Sequence, residues 1–320
     1  LIAMEFSYTN YDNKGRPIES GVAIGNFNSL DPDNVNFTSS VRKEQNFTQY
    51  DYLHNPSELA TLDTGYQNPT FLASNVAKTY NTGNTGALVT ASYYSYDLYG
   101  RVKWTVQNIN GLGFKTIDYE YDPITSQVLK VIYQKHNSTE QFVHRYTYNS
   151  ASGELERVET STNNSNFTKH ADYSYYETGA VKRVELANGI QGIDYVYNLA
   201  GQLKAINHPN LNAASDPGRD TNDLFGMTID YYNNDYTRNT NFNLMTSGQD
   251  QFNGNIKGIT SNTKWPNTAQ PNAQYEYKYN RNNWLKLADF SGGNATISND
   301  YQVQIPNYDA KGNIQRLIRN

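Results

Sequence analysis

Polar and apolar positions alternate along much of the chain, and the alternation is written largely in tyrosine. A Tyr-x-Tyr pair recurs at Tyr94/Tyr96, Tyr119/Tyr121, Tyr146/Tyr148, Tyr173/Tyr175, Tyr195/Tyr197 and Tyr277/Tyr279. Residues two apart share one face of a strand, so each pair sends two rings to the same side. The second tyrosines are separated by 25, 27, 27 and 22 residues through the first five copies, and then by 82. A period of this size marks a repeat architecture, one supersecondary unit per copy.

Each copy carries its own turn signal. Glycine follows the second tyrosine at the fourth position in Tyr96/Gly100, Tyr175/Gly179 and Tyr197/Gly201, and at the fifth in Tyr148/Gly153; Asn283 takes that place after Tyr279. Glycine and asparagine most readily adopt the positive φ that tight hairpin turns need. An aliphatic follows two residues later at Val102, Leu155, Val181, Leu203, Leu285 and Ile314. The unit is strand, turn, strand. A second aliphatic three residues on (Val158, Val184, Ile206, Leu317) breaks period two, which predicts either a bulge or a strong twist there. Two turns of the same kind, 11–16 and 308–313, the latter with Tyr308 and Gly312, lack the Tyr-x-Tyr approach and extend the array toward both ends.

Helical periodicity is absent over any long window, so the expected fold class is all-β, an array of antiparallel hairpins. Residues 1–91 read as an irregular β-rich wall segment with one such turn, and 92–206 as continuous hairpins. Residues 207–274 read as a loop-rich insertion with strands at 227–232 and 254–265, and 275–320 as further repeats continuing past the last residue. A chain that opens on Leu1 in mid-pattern reads as an internal piece of something longer.

Composition narrows the function classes. An apolar share of 37% promises a thin core, and 28 tyrosines with 43 asparagines fit many short strands joined by many turns. A net charge of −5 without a basic run speaks against a nucleic-acid partner. No apolar run is long enough for a membrane-spanning helix, and the first residues lack the charged and apolar regions of a signal peptide. With no cysteine, disulfides, thiolate metal sites and cysteine nucleophiles are excluded. The sequons Asn36-Phe37-Thr38, Asn46-Phe47-Thr48 and Asn166-Phe167-Thr168 are expected by chance at this asparagine content.

Tyr-Asp-x-x-Gly-Arg at this spacing resembles the YD-repeat, or RHS-repeat, family. YDLYGRV (96–102), YDPITSQV (121–128), YYETGAV (175–181), QGIDYVYNLAGQLKAIN (191–207) and FNGNIKGIT (252–260) look like the variant found in large secreted proteins of Bacteroidota. The resemblance implies a spiralling β-sheet wall, part of a hollow shell that encloses or displays a toxin or effector domain. It also implies partners: the remaining wall and core of the same protein, an enclosed toxin domain, and secretion machinery, such as the type IX apparatus, or cell-surface proteins. Self-cleavage in that family uses paired Asp-Pro-x-Gly motifs. Asp31-Pro32, Asp122-Pro123 and Asp216-Pro217-Gly218 lack the required glycine spacing, so cleavage is not assigned.

Candidate chemistry is sparse. His54, His136, His144, His170 and His208 show no paired-ligand spacing and read as packed or surface residues. Asp31 and Asp33 suggest a calcium loop, but Val35 and Asn36 stand where a ligand and the turn glycine belong. Asp216, Asp220 and Asp223 likewise lack a fixed ligand spacing and read as solvated turn carboxylates. No nucleophile elbow, phosphate loop or dinucleotide fingerprint occurs. The expectation is a non-enzymatic wall without cofactor, secreted or at the cell surface, its tyrosines sealing the sheet; the rival is an adhesin whose tyrosine faces stack on sugars.

Overall fold

The computed structural model describes residues 4–25, 41–264, 271–292 and 301–320. Asp31-Pro32, the Asp31/Asp33 loop with Val35, the sequon at Asn36 and Trp265 lie outside the described residues. The chain divides into two compact units, Leu1–Thr147 with Glu159–Phe167, and Tyr148–Val158 with Thr168–Asn320.

The first unit holds β1 (Met4–Tyr11), β2 (Pro17–Gly25), β3 (Val41–Tyr50), β4 (Val76–Thr82), β5 (Leu88–Tyr96), β6 (Val102–Ile109), β7 (Gly113–Tyr121), β8 (Val128–Tyr133) and most of β9 (Phe142–Tyr148). β10 (Leu155–Ser161) contributes residues to both units. The second holds β11 (Thr168–Tyr175), β12 (Val181–Leu186), β13 (Gln191–Tyr197), β14 (Leu203–Ile206), β15 (Phe225–Asp230), β16 (Gly258–Thr263), β17 (Ala273–Tyr279), β18 (Leu285–Gly292), β19 (Val303–Tyr308) and β20 (Ile314–Arg319). Within each unit every strand pairs antiparallel with the next. Among the described residues helix is confined to single turns, α1 (Thr64–Gln67) and the 3-10 turns Pro56–Leu59 and Thr240–Phe242. The expected all-β array of hairpins is the fold observed.

Between bulge and twist, the register decides for a bulge. Ser174 faces Arg183 but Tyr175 faces Val181, leaving Lys182 as the extra residue. The same slip places Lys103, Leu129, Lys204 and Lys286 as extra residues at the corresponding corners. One inserted residue returns position three to the face of position zero, which is why Val181 and Val184 are both apolar. The strands expected at 227–232 and 254–265 are β15 and β16; the start of the latter segment is instead a turn with Gly254 at φ +91°.

Where residues 51–75 leave the sheet, Leu53, Leu59 and Tyr66 pack on Ala91, Tyr93, Trp104 and Val106, forming the apolar cluster of the first unit. Tyr66 meets the Trp104 ring edge-on at 5.5 Å, and its hydroxyl donates to Asp118 Oδ2 at 2.5 Å. In the second unit Val196 and Ala205 pack under Phe242 and Tyr236, which come from the excursion between β15 and β16.

Candidate functional site: the hairpin corner and the buried charges behind it

At 96–102 the chain must reverse within four residues, which strands backbone donors that the sheet cannot satisfy. Asp97 supplies the missing acceptor: its Oδ1 takes the amides of Tyr99 (2.9 Å) and Arg101 (3.0 Å), and its Oδ2 takes Arg101 Nε at 2.6 Å. Burial opposes the Asp97 charge, but the bonds from Arg101 outweigh it and hold the carboxyl below its ordinary range. Gly100 closes the turn at φ +77°, donating to Asp97 O at 3.0 Å. Arg101 then reaches forward, its guanidinium 4.5 Å over the Tyr121 ring and its Nη1 donating to Asp122 O at 3.2 Å.

Later copies keep this geometry with other atoms. Asn198 Oδ1 accepts from Ala200 and Gln202 amides at 3.0 and 2.9 Å, and its Nδ2 donates to Gln202 Oε1, a neutral copy of the Asp–Arg fork. Tyr176 has no such acceptor, and backbone bonds from Tyr176 N to Ala180 O and from Gly179 N to Tyr176 O hold that turn. Gly153, Gly179, Gly201, Gly312 and Asn283 all sit at positive φ. Ser126, which carried no turn signal, does so too at φ 62°. It lies five residues after Tyr121, as Gly153 lies after Tyr148, and both close the wider turn, donating to Asp122 O and Asn149 O.

The repeated second tyrosine has a definite task. Its hydroxyl donates to the carbonyl that opens the preceding return strand, Tyr96 to Val76 O (3.0 Å), Tyr121 to Val102 O (2.8 Å) and Tyr175 to Leu155 O (2.8 Å), or to one just ahead of it, Tyr279 to Ile256 O (2.8 Å) two residues before β16. Tyr308 donates likewise to Leu285 O. Tyr231, outside any Tyr-x-Tyr pair and missed in the sequence, makes the same bond to Leu203 O at 3.0 Å. Tyr148 and Tyr197 end β9 and β13 at the equivalent point. The rings stack along one strand, Tyr119 on Tyr121 and Tyr275 on Tyr277 at 6.3 Å. Burial raises the hydroxyl pKa of Tyr96, Tyr121, Tyr175, Tyr231, Tyr279 and Tyr308.

Behind the corners of the second unit lie buried charges, two of them carboxylates expected in solvent. Asp216 and Asp223, read as solvated turn carboxylates, are buried; the loop 207–224 turns them inward beside Asp194 of β13. Arg183, the register partner of Asp194, bonds to it and to Asp220 Oδ2 at 2.7 Å. Burial, with Arg183 opposing, pushes Asp194 up to about 6; burial and the neighbouring Asp216 push Asp223 up to about 8. Lys204, fully buried, lies 2.7 Å from both Asp230 and Asp235. Lys257, equally buried, donates to Asn233 Oδ1 at 2.7 Å and Asp250 Oδ1 at 3.0 Å.

The histidines do not converge. His208 is buried, its Nδ1 accepting from Asn210 N and its Nε2 set against Asn241 O, and burial lowers its pKa. His54 and His170 are exposed, and His136 lies 3.7 Å from Asp63 at the surface. A cleft of about 610 Å³ opens between the Tyr176 and Tyr197 corners, lined also by Leu199, Asp235, Tyr236 and Arg238.

No protein-family model matches the sequence, and no curated protein does. Among solved structures, TcdB2-TccC3 without its hypervariable C-terminal region matches over 98% of this chain with a TM-score of 0.51 at 15% identity. The likeness is one of fold, an array of antiparallel strands shared with that structure. This chain spans 16% of that structure's chain. The Tc holotoxin pore of Photorhabdus luminescens matches at 12% identity over 98% of this chain and 19% of its own, with a TM-score of 0.38 too low to add weight. No helix among the described residues is long and apolar enough to cross a membrane.

Proposed function

We propose that this chain is a non-enzymatic wall segment of a large secreted or cell-surface RHS-type protein, whose shell encloses or displays an effector domain. The observation that carries the reading is the corner latch, one tyrosine hydroxyl fastening each of six corners to the preceding return strand. A device repeated along the chain serves a continuous surface, whereas a binding or catalytic site needs only one place. Substitution at the polar corner positions supports the same view. Asp97 and Arg101 are replaced by Asn198 and Gln202 with the bonding pattern intact, and a catalytic acid or base would not survive that exchange. Cryo-electron microscopy of the natural polypeptide containing these residues tests the reading: a closed β wall with protein density inside supports it, and a solvent-filled or unclosed sheet contradicts it.

The cleft beside Tyr176, Tyr197 and Tyr236 favours a second reading, an adhesin that stacks sugars on these rings. Glycan-array binding abolished by Tyr236→Ala without loss of melting temperature would support adhesion, and an empty array would remove it.

A further inference from the structure

The loop 207–224 collects more negative charge than its surroundings neutralise. Asp194, Asp216 and Asp220 each offer a carboxylate oxygen, all within 4.8 Å of one another. Asp223, fully buried on the same loop, lies against Asp216, and neither of its oxygens meets a donor; Asp216 Oδ1 is equally unpartnered. Arg183 is the resident cation; it pairs directly with Asp194 and Asp220 and acts on Asp216 only through space. Among the described residues, the buried Asp216 and Asp223 are therefore left without an ion-pair partner. Gly218 lets the loop press down on this cluster, because a Cβ there would collide with Arg183 and Asp194. Asp220 N bonds back to Asp216 Oδ2 at 3.3 Å, and Asn207 ties Asp194 N to the loop at 2.7 Å, so the carboxylates are held together by the fold.

We propose that Asp194, Asp216 and Asp220, with the buried charge of Asp223 behind Asp216, bind one hard divalent cation of the calcium class, which fastens the loop 207–224 onto β12 and β13. All the donors are oxygens, without sulfur or imidazole, which selects hard ions over zinc or copper. Calcium bonds oxygens at about 2.3–2.6 Å, so it bridges atoms nearly 5 Å apart, whereas magnesium, at about 2.0–2.1 Å, demands a tighter octahedron. The inference rests on these carboxylates alone and stands whether or not the wall reading holds.

The test uses the full chain after exhaustive chelation, with calcium, magnesium or zinc titrated by calorimetry and the melting midpoint followed in parallel. One calcium should bind per chain and raise the midpoint by about 5 °C near saturation, with magnesium weaker and zinc without specific effect. Asp223→Asn, which keeps shape and removes charge, should abolish that rise while leaving the metal-free protein folded. Asp220→Asn is the second variant, expected to weaken binding about tenfold if Asp223→Asn does not fold. Absence of binding heat and of any midpoint shift in the folded parent overturns the proposal and leaves a proton shared by Asp216 and Asp223 as the neutralising species. An undiminished calcium response in both variants overturns it equally.

Discussion

Lys182 and Lys204 hold the same position in the repeat, the extra residue of the bulge one step after the aliphatic that opens the return strand. Lys182 is exposed, as are Lys103 and Lys286 at equivalent corners, whereas Lys204 is fully buried between Asp230 and Asp235. The corner itself is unchanged; what differs is the excursion between β15 and β16, which brings Asp235, Tyr236 and Phe242 over the second unit's corner. A repeat therefore fixes backbone geometry and leaves the environment of each side chain to whatever covers it. Lys257, one residue after the latch acceptor Ile256, repeats the lesson with Asp250 and Asn233 as partners.

The sharpest way to break this comparison is alanine at the two lysines. Lys204→Ala leaves two buried carboxylates without a cationic partner, with only the amides of Met245 and Tyr231 still bonding them, and should cost about 3–5 kcal/mol in denaturant unfolding. Replacement of Gly100 by alanine comes next. An added Cβ there meets nothing within 4 Å, so only the strain of a left-handed residue acts, and the expected loss is about 1–2 kcal/mol. Tyr121→Phe removes one latch and should cost about 1 kcal/mol, with hydrogen exchange accelerated around Val102. Lys182→Ala is expected to stay within about 0.5 kcal/mol of the parent. Equal losses at Lys182 and Lys204 would mean that the covering excursion does not set the environment.

The tyrosine spacing and the glycines made the hairpins legible, because these features follow from strand period and turn stereochemistry alone, while the paired aliphatics showed a break in period two without telling a bulge from a strong twist, a choice only the strand register makes. The wider turn at Ser126 stayed hidden because serine carries no positive-φ signal, although its distance from Tyr121 matched Gly153. The latch of Tyr231 was hidden by the missing partner tyrosine. Burial of Asp216 and Asp223 was illegible for a different reason. It depends on Gly218 packing against Arg183 and Asp194, which are brought together only by the pairing of β12 with β13.

The latch is the central claim, and ionisation tests it directly. The latch tyrosines have raised pKa values in the fold, so their contribution is complete below the unfolded value of 10.0 and is lost as pH rises through the folded values. The decisive measurement is the difference in unfolding free energy between the parent and a variant with phenylalanine at Tyr96, Tyr121, Tyr175, Tyr231, Tyr279 and Tyr308, followed from neutral to alkaline pH. The account predicts a difference on the order of 5 kcal/mol at neutral pH that shrinks above about pH 10. A difference near zero at neutral pH, or one that does not change with pH, would contradict it.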